Sequence, residues 1–145
     1  MTEPIKKLTA YDIAKQEVGV KEIRGDIDNP RILEYHKATL LKAHHDEIPW
    51  CSAFVCWCLE MAGIESTRSA RARSFLYWGE SANIPAEGDI AVFRRAGSET
   101  LGHVAFFVCY QGDFIHCLGG NQSDAVCYRN FKREDLLGFR RTKTS

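Results

Sequence analysis

The chain has no apolar stretch long enough to cross a bilayer as a helix, which sets aside an integral membrane protein. It has no excess charge either: 19 Lys and Arg balance 19 Asp and Glu, so composition gives no sign of a nucleic-acid binder. Met1 to Lys7 contain no apolar run and no small-residue cleavage site, so the protein is expected to be made and first kept in the cytoplasm. A substrate outside the cell would then need something else to deliver the protein. No repeat, low-complexity tract or linker interrupts the sequence, and 145 residues suit one domain, 1–145, with one core.

The six cysteines are Cys51, Cys56, Cys58, Cys109, Cys117 and Cys127, and none of their spacings is Cys-x-x-Cys. Cys51, Cys56 and Cys58 do not make a usual zinc pattern, and His44 and His45 stand too close to Cys51 to complete one. No metal or other cofactor is expected. Most of these thiols read as small buried apolar groups. Charge is uneven near the end, where Arg129, Lys132, Arg133, Arg140, Arg141 and Lys143 face only Glu134 and Asp135. A solvated face is the ordinary explanation; contact with an anionic polymer is the functional one.

Periodicity divides the chain in two. Thr9 is a helix cap before Ala10 to Val18, with Gly19 as the stop, and Asn29-Pro30 starts a second helix that fades near Thr39. A third helix is predicted from Cys51 to Met61, and a short fourth from Ala70 to Trp78. The period then changes. Strands are expected over Asp89 to Arg94, Gly102 to Tyr110, Phe114 to Leu118, Ala125 to Arg129 and Leu137 to Arg141, with Gly119-Gly120 as a break. Helices followed by strands indicate an α+β domain, with N-terminal helices packed on an antiparallel β-sheet.

Cys51 stands at the first turn of an apolar helix, where free N–H groups and the helix dipole favour an anion. A thiolate there is a better nucleophile at neutral pH, and the same N–H groups can hold an oxyanion. Among five histidines, His103 opens a long strand behind Gly102 and is the best placed base; His116 lies in mid-strand and His36 on a helix surface. The base needs a partner on its second nitrogen. The hairpin brings Leu118 to Asp124 back toward His103, making Asn121 the first choice and Gln122 the second. Asp46, Trp50, Trp78 and Gln122 are candidates for lining a substrate groove, although solvated charge and core packing explain such residues equally well.

Three blocks in order, Trp50-Cys51-Ser52-Ala53-Phe54-Val55, Glu87-Gly88-Asp89-Ile90-Ala91-Val92-Phe93 and Gly102-His103-Val104, resemble the CHAP and NlpC-type papain-like cysteine peptidases and amidases, especially small phage-related members. The resemblance implies a papain-like fold and cleavage of an amide in or next to the peptidoglycan stem peptide, with Cys51 as nucleophile, His103 as base and Asn121 as orienting residue. CHAP domains often carry a Glu two residues before the Asn; the matching place here is Gly119. Peptidoglycan is the implied substrate, for a monomer with no nucleic-acid or integral-membrane contact. An endolysin released by a partner holin fits, as does an exported antibacterial toxin with an immunity partner. A non-catalytic wall-binding module, a related acyl-transfer enzyme and a redox or metal protein are the rival readings.

Overall fold

The computed structural model describes residues 8–23, 29–40, 50–95 and 98–143. Three helices, α1 (Ala10–Gln16), α2 (Pro30–His36) and α3 (Cys51–Met61), precede a six-stranded sheet. The strands are β1 (Glu80–Ser81), β2 (Ile90–Arg94), β3 (Gly102–Gln111), β4 (Phe114–Gln122), β5 (Ala125–Lys132) and β6 (Leu136–Arg141). Their order is β1-β6-β2-β3-β4-β5, and every pairing is antiparallel. This is the expected α+β architecture. No helix among the described residues is long and apolar enough to cross a membrane.

Local chemistry sets the helix starts. The Thr9 hydroxyl accepts from the Asp12 N–H at 3.0 Å, while the Thr9 N–H donates to the Asp12 carboxylate at 3.1 Å, a reciprocal cap. Asn29 caps α2 through the Arg31 N–H at 2.8 Å, with Pro30 at the first helical position. In α3 the cap residue is Trp50, whose side chain makes no capping bond, so the first-turn amides are not spent on it. The Ser52 hydroxyl instead ties the start of α3 to the Ser69 carbonyl at 2.6 Å.

Three expectations are corrected. The stretch 70–78 is a 3-10 helix, Ala72–Tyr77, not a regular helix. His36 is buried at 1% exposure, because α2 turns its last residues into the core instead of along the surface. Gly119 and Gly120 do not break the fourth strand: β4 runs through them to Gln122. They are glycine because of what they approach. A Cβ on Gly120 would stand 2.7 Å from both Phe54 Cβ and Trp50 Cζ3, and one on Gly119 would stand 2.6 Å from Gln122 Oε1 and 2.8 Å from Ala105 Cβ. The strand therefore passes α3 with backbone against side chain.

The sheet has two apolar faces. One, including Ile90, Val92, Val104, Phe106 and Leu118, packs on the helices around Tyr35, Trp50 and Phe54. The other gathers Ala91, Phe93, Ala105, Phe107, Ile115, Cys117 and Phe139. Phe93 on β2 stacks on Phe131 of β5 at 4.9 Å although β3 and β4 lie between them. In a flat sheet strands three positions apart are separated by about 14 Å, so the sheet curls strongly around this second core. The basic end is partly used in the fold. Arg141 makes a two-pronged ion pair with the buried Asp89 at 2.6 and 3.2 Å, and Arg133 lies over the Tyr110 ring at 4.1 Å.

Gly120→Ala is expected to destabilise the protein by about 1–3 kcal/mol, since neither the Phe54 Cβ nor the Trp50 ring can withdraw without disturbing the core. Urea denaturation checks this; a midpoint equal to that of the parent would contradict the packing argument.

Candidate active site

Cys51 and His103 come together as the sequence requires. The thiol, at the start of α3, is buried at 6% exposure and lies beside the imidazole of His103 near the start of β3, close enough for the ring to favour its charged form. The backbone N–H groups of Val104 and Ser52 also act on the sulfur to favour its charged form. The Val104 contact has a structural origin. Regular pairing between β3 and β4 begins only at Phe106↔Leu118, so Val104 lies outside that ladder. Burial alone would raise the thiol's pKa. The charge and hydrogen bond of His103, joined by the two N–H groups, outweigh it and hold Cys51 below an ordinary thiol.

The side chain bonded to His103 is that of Gln122. Its Oε1 lies 2.9 Å from His103 Nε2, and its Nε2 donates to the Cys127 carbonyl at 2.6 Å. That second bond settles the orientation of the amide: the oxygen must face the ring. The ring's Nε2 therefore carries the hydrogen, and Nδ1 is the nitrogen left for the sulfur. The Cys127 thiol donates back to the Gln122 carbonyl at 3.1 Å, so β5 grips this residue from two sides. Phe131 fixes the ring plane by stacking on His103 at 4.7 Å. His103 itself is 9% exposed.

Asn121, the first choice for the orienting role, does not make this bond; its carboxamide has no hydrogen-bond partner among the described residues and lines the cavity beside His103. The reason is a bulge. The β4–β5 register shifts between Gly119 and Gln122, and Asn121 takes φ 56°. In a regular strand residue 121 would share a face with 119, and hence with Ala105 and His103. One extra residue moves 122 onto that face instead. Asparagine tolerates this left-handed conformation better than most residues do.

The groove candidates fare differently. Gln122, at 2% exposure, is held by the imidazole and also belongs to the lining of the cavity beside His103. Trp50 is fully buried, stacks on Tyr35 at 5.8 Å and donates from Nε1 to Glu22 at 2.8 Å; it is core, because β4 closes over it at Gly120. Trp78 stands with Leu59, Ala62 and Ile64 at the C-terminal end of α3, about 16 Å of helix from Cys51, and its Nε1 donates to the Glu65 carbonyl at 2.8 Å. Asp46 lies outside the described residues, as do His44 and His45. His116 bonds Asn130 at 2.7 Å and stacks on Tyr128, toward the β3–β4 hairpin. Sequence reasoning missed Phe131 and Cys127. Their only signal was parity with Arg129 on β5, which needs the register to be read.

Every described cysteine is a free thiol, four of them buried. Among the described residues no group of three or more His, Cys, Asp or Glu is placed to hold a metal ion.

A thiol at a helix start, beside an imidazole on a curled antiparallel sheet, is the arrangement of the papain-like CHAP and NlpC superfamily. The profile of the CHAP domain matches residues 43–121, more than half of the chain, and the protein belongs to that family. The match spans Cys51 and His103 and stops one residue before Gln122. CHAP domains are generally cysteine-dependent peptidoglycan hydrolases. Among solved structures, the fold is similar to that of an NLP/P60-family lipoprotein from Staphylococcus aureus subsp. aureus Mu50, with a TM-score of 0.55 and 18% identity. That alignment covers 99% of this chain and 46% of the other, so the chain spans less than half of the relative's length. No curated protein matches the chain significantly.

The lowered thiol pKa has a direct readout. Peptide-resolved alkylation by iodoacetamide is expected to reach half its maximal rate at Cys51 below the ordinary thiol pKa, because the thiolate persists to lower pH. In His103→Ala the midpoint moves up, since burial then acts with only the N–H groups opposing it. A parent midpoint at or above that of free cysteine would sink the assignment.

Proposed function

We propose that the protein is a peptidoglycan hydrolase in which Cys51 is the nucleophile, His103 the acid and base, and Gln122 the residue that orients the imidazole. The observation that carries this reading is the Cys51 thiol set beside the His103 ring, whose other nitrogen is bonded to the Gln122 amide and through it to the Cys127 carbonyl. A wall-binding module would need none of these bonds. The family match supports the substrate class.

The steps follow from the geometry. The Cys51 proton passes to Nδ1 of His103, and the thiolate adds to an amide carbonyl carbon. The carbonyl electron pair moves to oxygen, and backbone N–H groups at the start of α3 are the nearest donors for it. The imidazolium gives its proton to the leaving nitrogen, and the C–N bond breaks to leave a thioester. His103 then takes a proton from water, the hydroxide displaces sulfur, and the thiolate re-forms. Throughout, Gln122 holds the Nε2 hydrogen without adding charge.

The whole chain, 1–145, is proposed to act as one catalytic domain. The finer setting rests on family resemblance alone: an endolysin-like protein, cytoplasmic in the cell that makes it, that reaches the wall with help from a holin. The test of that setting is lysis in cells carrying the protein with and without a holin. Clearing that needs no holin would overturn it.

Cys51→Ala is expected to abolish release of soluble fragments from purified wall, a loss of about 10³-fold or more. Equal clearing by variant and parent would end the cysteine mechanism. Gln122→Ala should lower kcat by about tenfold or more, ~1.4 kcal/mol of barrier, with little change in KM, whereas Asn121→Ala should leave kcat closer to the parent. Steady-state kinetics on isolated wall peptides separates the two; the reverse order would return the orienting role to Asn121.

A further inference from the structure

A cavity of about 250 Å³ opens beside the imidazole, on the sheet face turned away from α3. Its apolar wall is Phe93 and Phe131, with His103 stacked on the latter. Three arginines, Arg94, Arg95 and Arg129, also line it. The one carboxylate in the lining, Asp135, is taken by Arg94 at 3.1 Å. Arg129 is steered by a neutral partner, the Ser123 hydroxyl, at 2.9 Å. The Arg95 guanidinium has no hydrogen-bond or ion-pair partner among the described residues. Among the described residues two positive charges thus remain uncompensated around an aromatic wall, beside the carboxamide of Asn121.

We propose that this cavity is a carboxylate subsite for the residue that supplies the leaving amine. Guanidinium groups match a carboxylate in shape and charge, and an aromatic wall that displaces water strengthens the pairing. The side of the cut follows from the chemistry. The acyl part of the substrate stays on sulfur, and the amine part departs past the imidazole that protonates it. The cavity is lined by His103 and not by Cys51. The favoured bond is therefore one made to the amine of a residue that keeps a free carboxylate. That describes a cut within the wall peptide or its cross-bridge. It does not describe the sugar–peptide amide, whose alanine has its carboxyl locked in the next peptide bond. The inference rests on the hydrolase reading and narrows it.

The experiment uses the full chain and muropeptides prepared in two forms, with carboxylates free or converted to carboxamides. The parent is expected to cut the free form at least about tenfold more efficiently in kcat/KM, with the new amine, identified by mass spectrometry, on a residue bearing a free carboxylate. In Arg95→Gln and Arg129→Gln the ratio between the two forms falls toward one. Equal cleavage of both forms by the parent, or a new amine on a residue without a carboxylate, overturns the subsite. Failure to cut either form overturns the hydrolase reading. The subsite is then decided by binding of the two forms to Cys51→Ala: preference for the free form, lost on adding Arg95→Gln, supports it, and equal binding rejects it.

Discussion

The site depends on a strand pressing its bare backbone against a helix. At Gly120 there is no room for even one methyl group between β4 and the side chains of Trp50 and Phe54. That approach carries the end of β4 beside the start of α3, where Cys51 sits. The next residue, Asn121, takes a left-handed turn, the register slips by one, and Gln122 swings onto the face of His103. Gly119 then matters for a second reason: the space its missing side chain leaves is where the Gln122 carboxamide lies. The position that in other CHAP domains often carries a glutamate is thus vacated, and an amide from three residues further along reaches the imidazole.

That exchange alters the electrostatics. The thiol is deeply buried, and burial opposes ionisation. The imidazole supplies the compensating charge, and two backbone N–H groups add to it. A neutral amide behind the ring keeps that balance local to the sulfur and the imidazole. It provides direction rather than charge, and it provides it firmly because its own nitrogen is anchored on Cys127. Preorganisation of this kind is established by hydrogen bonds made during folding, before substrate arrives.

The curl of the sheet is the second determinant. It brings Phe131 of β5 across to Phe93 of β2 and lays it on the His103 ring. With Phe131 comes Arg129, two residues earlier on the same face of the same strand. The basic end of the chain is therefore divided by strand parity and register. Arg141 serves the fold through Asp89, Arg133 covers Tyr110, and Arg129 lines the cavity beside His103.

Much of this was readable beforehand. Caps at Thr9 and Asn29, the apolar helix from Cys51 to Met61 and the alternating strands are local signals, written in residues close along the chain. The pairing of Cys51 with His103 was also legible, because a helix start and a strand start each have a recognisable chemistry. What lay beyond the sequence was everything decided by contact across the fold. Trp50 looked like a groove wall until β4 closed over it, Gly119-Gly120 looked like a break until α3 explained them, and Asn121 looked like the orienting residue until a one-residue bulge exchanged it for Gln122. A side chain's type is fixed by its codon, but the face it presents follows from register, and register is set by packing between parts of the chain that are far apart in sequence.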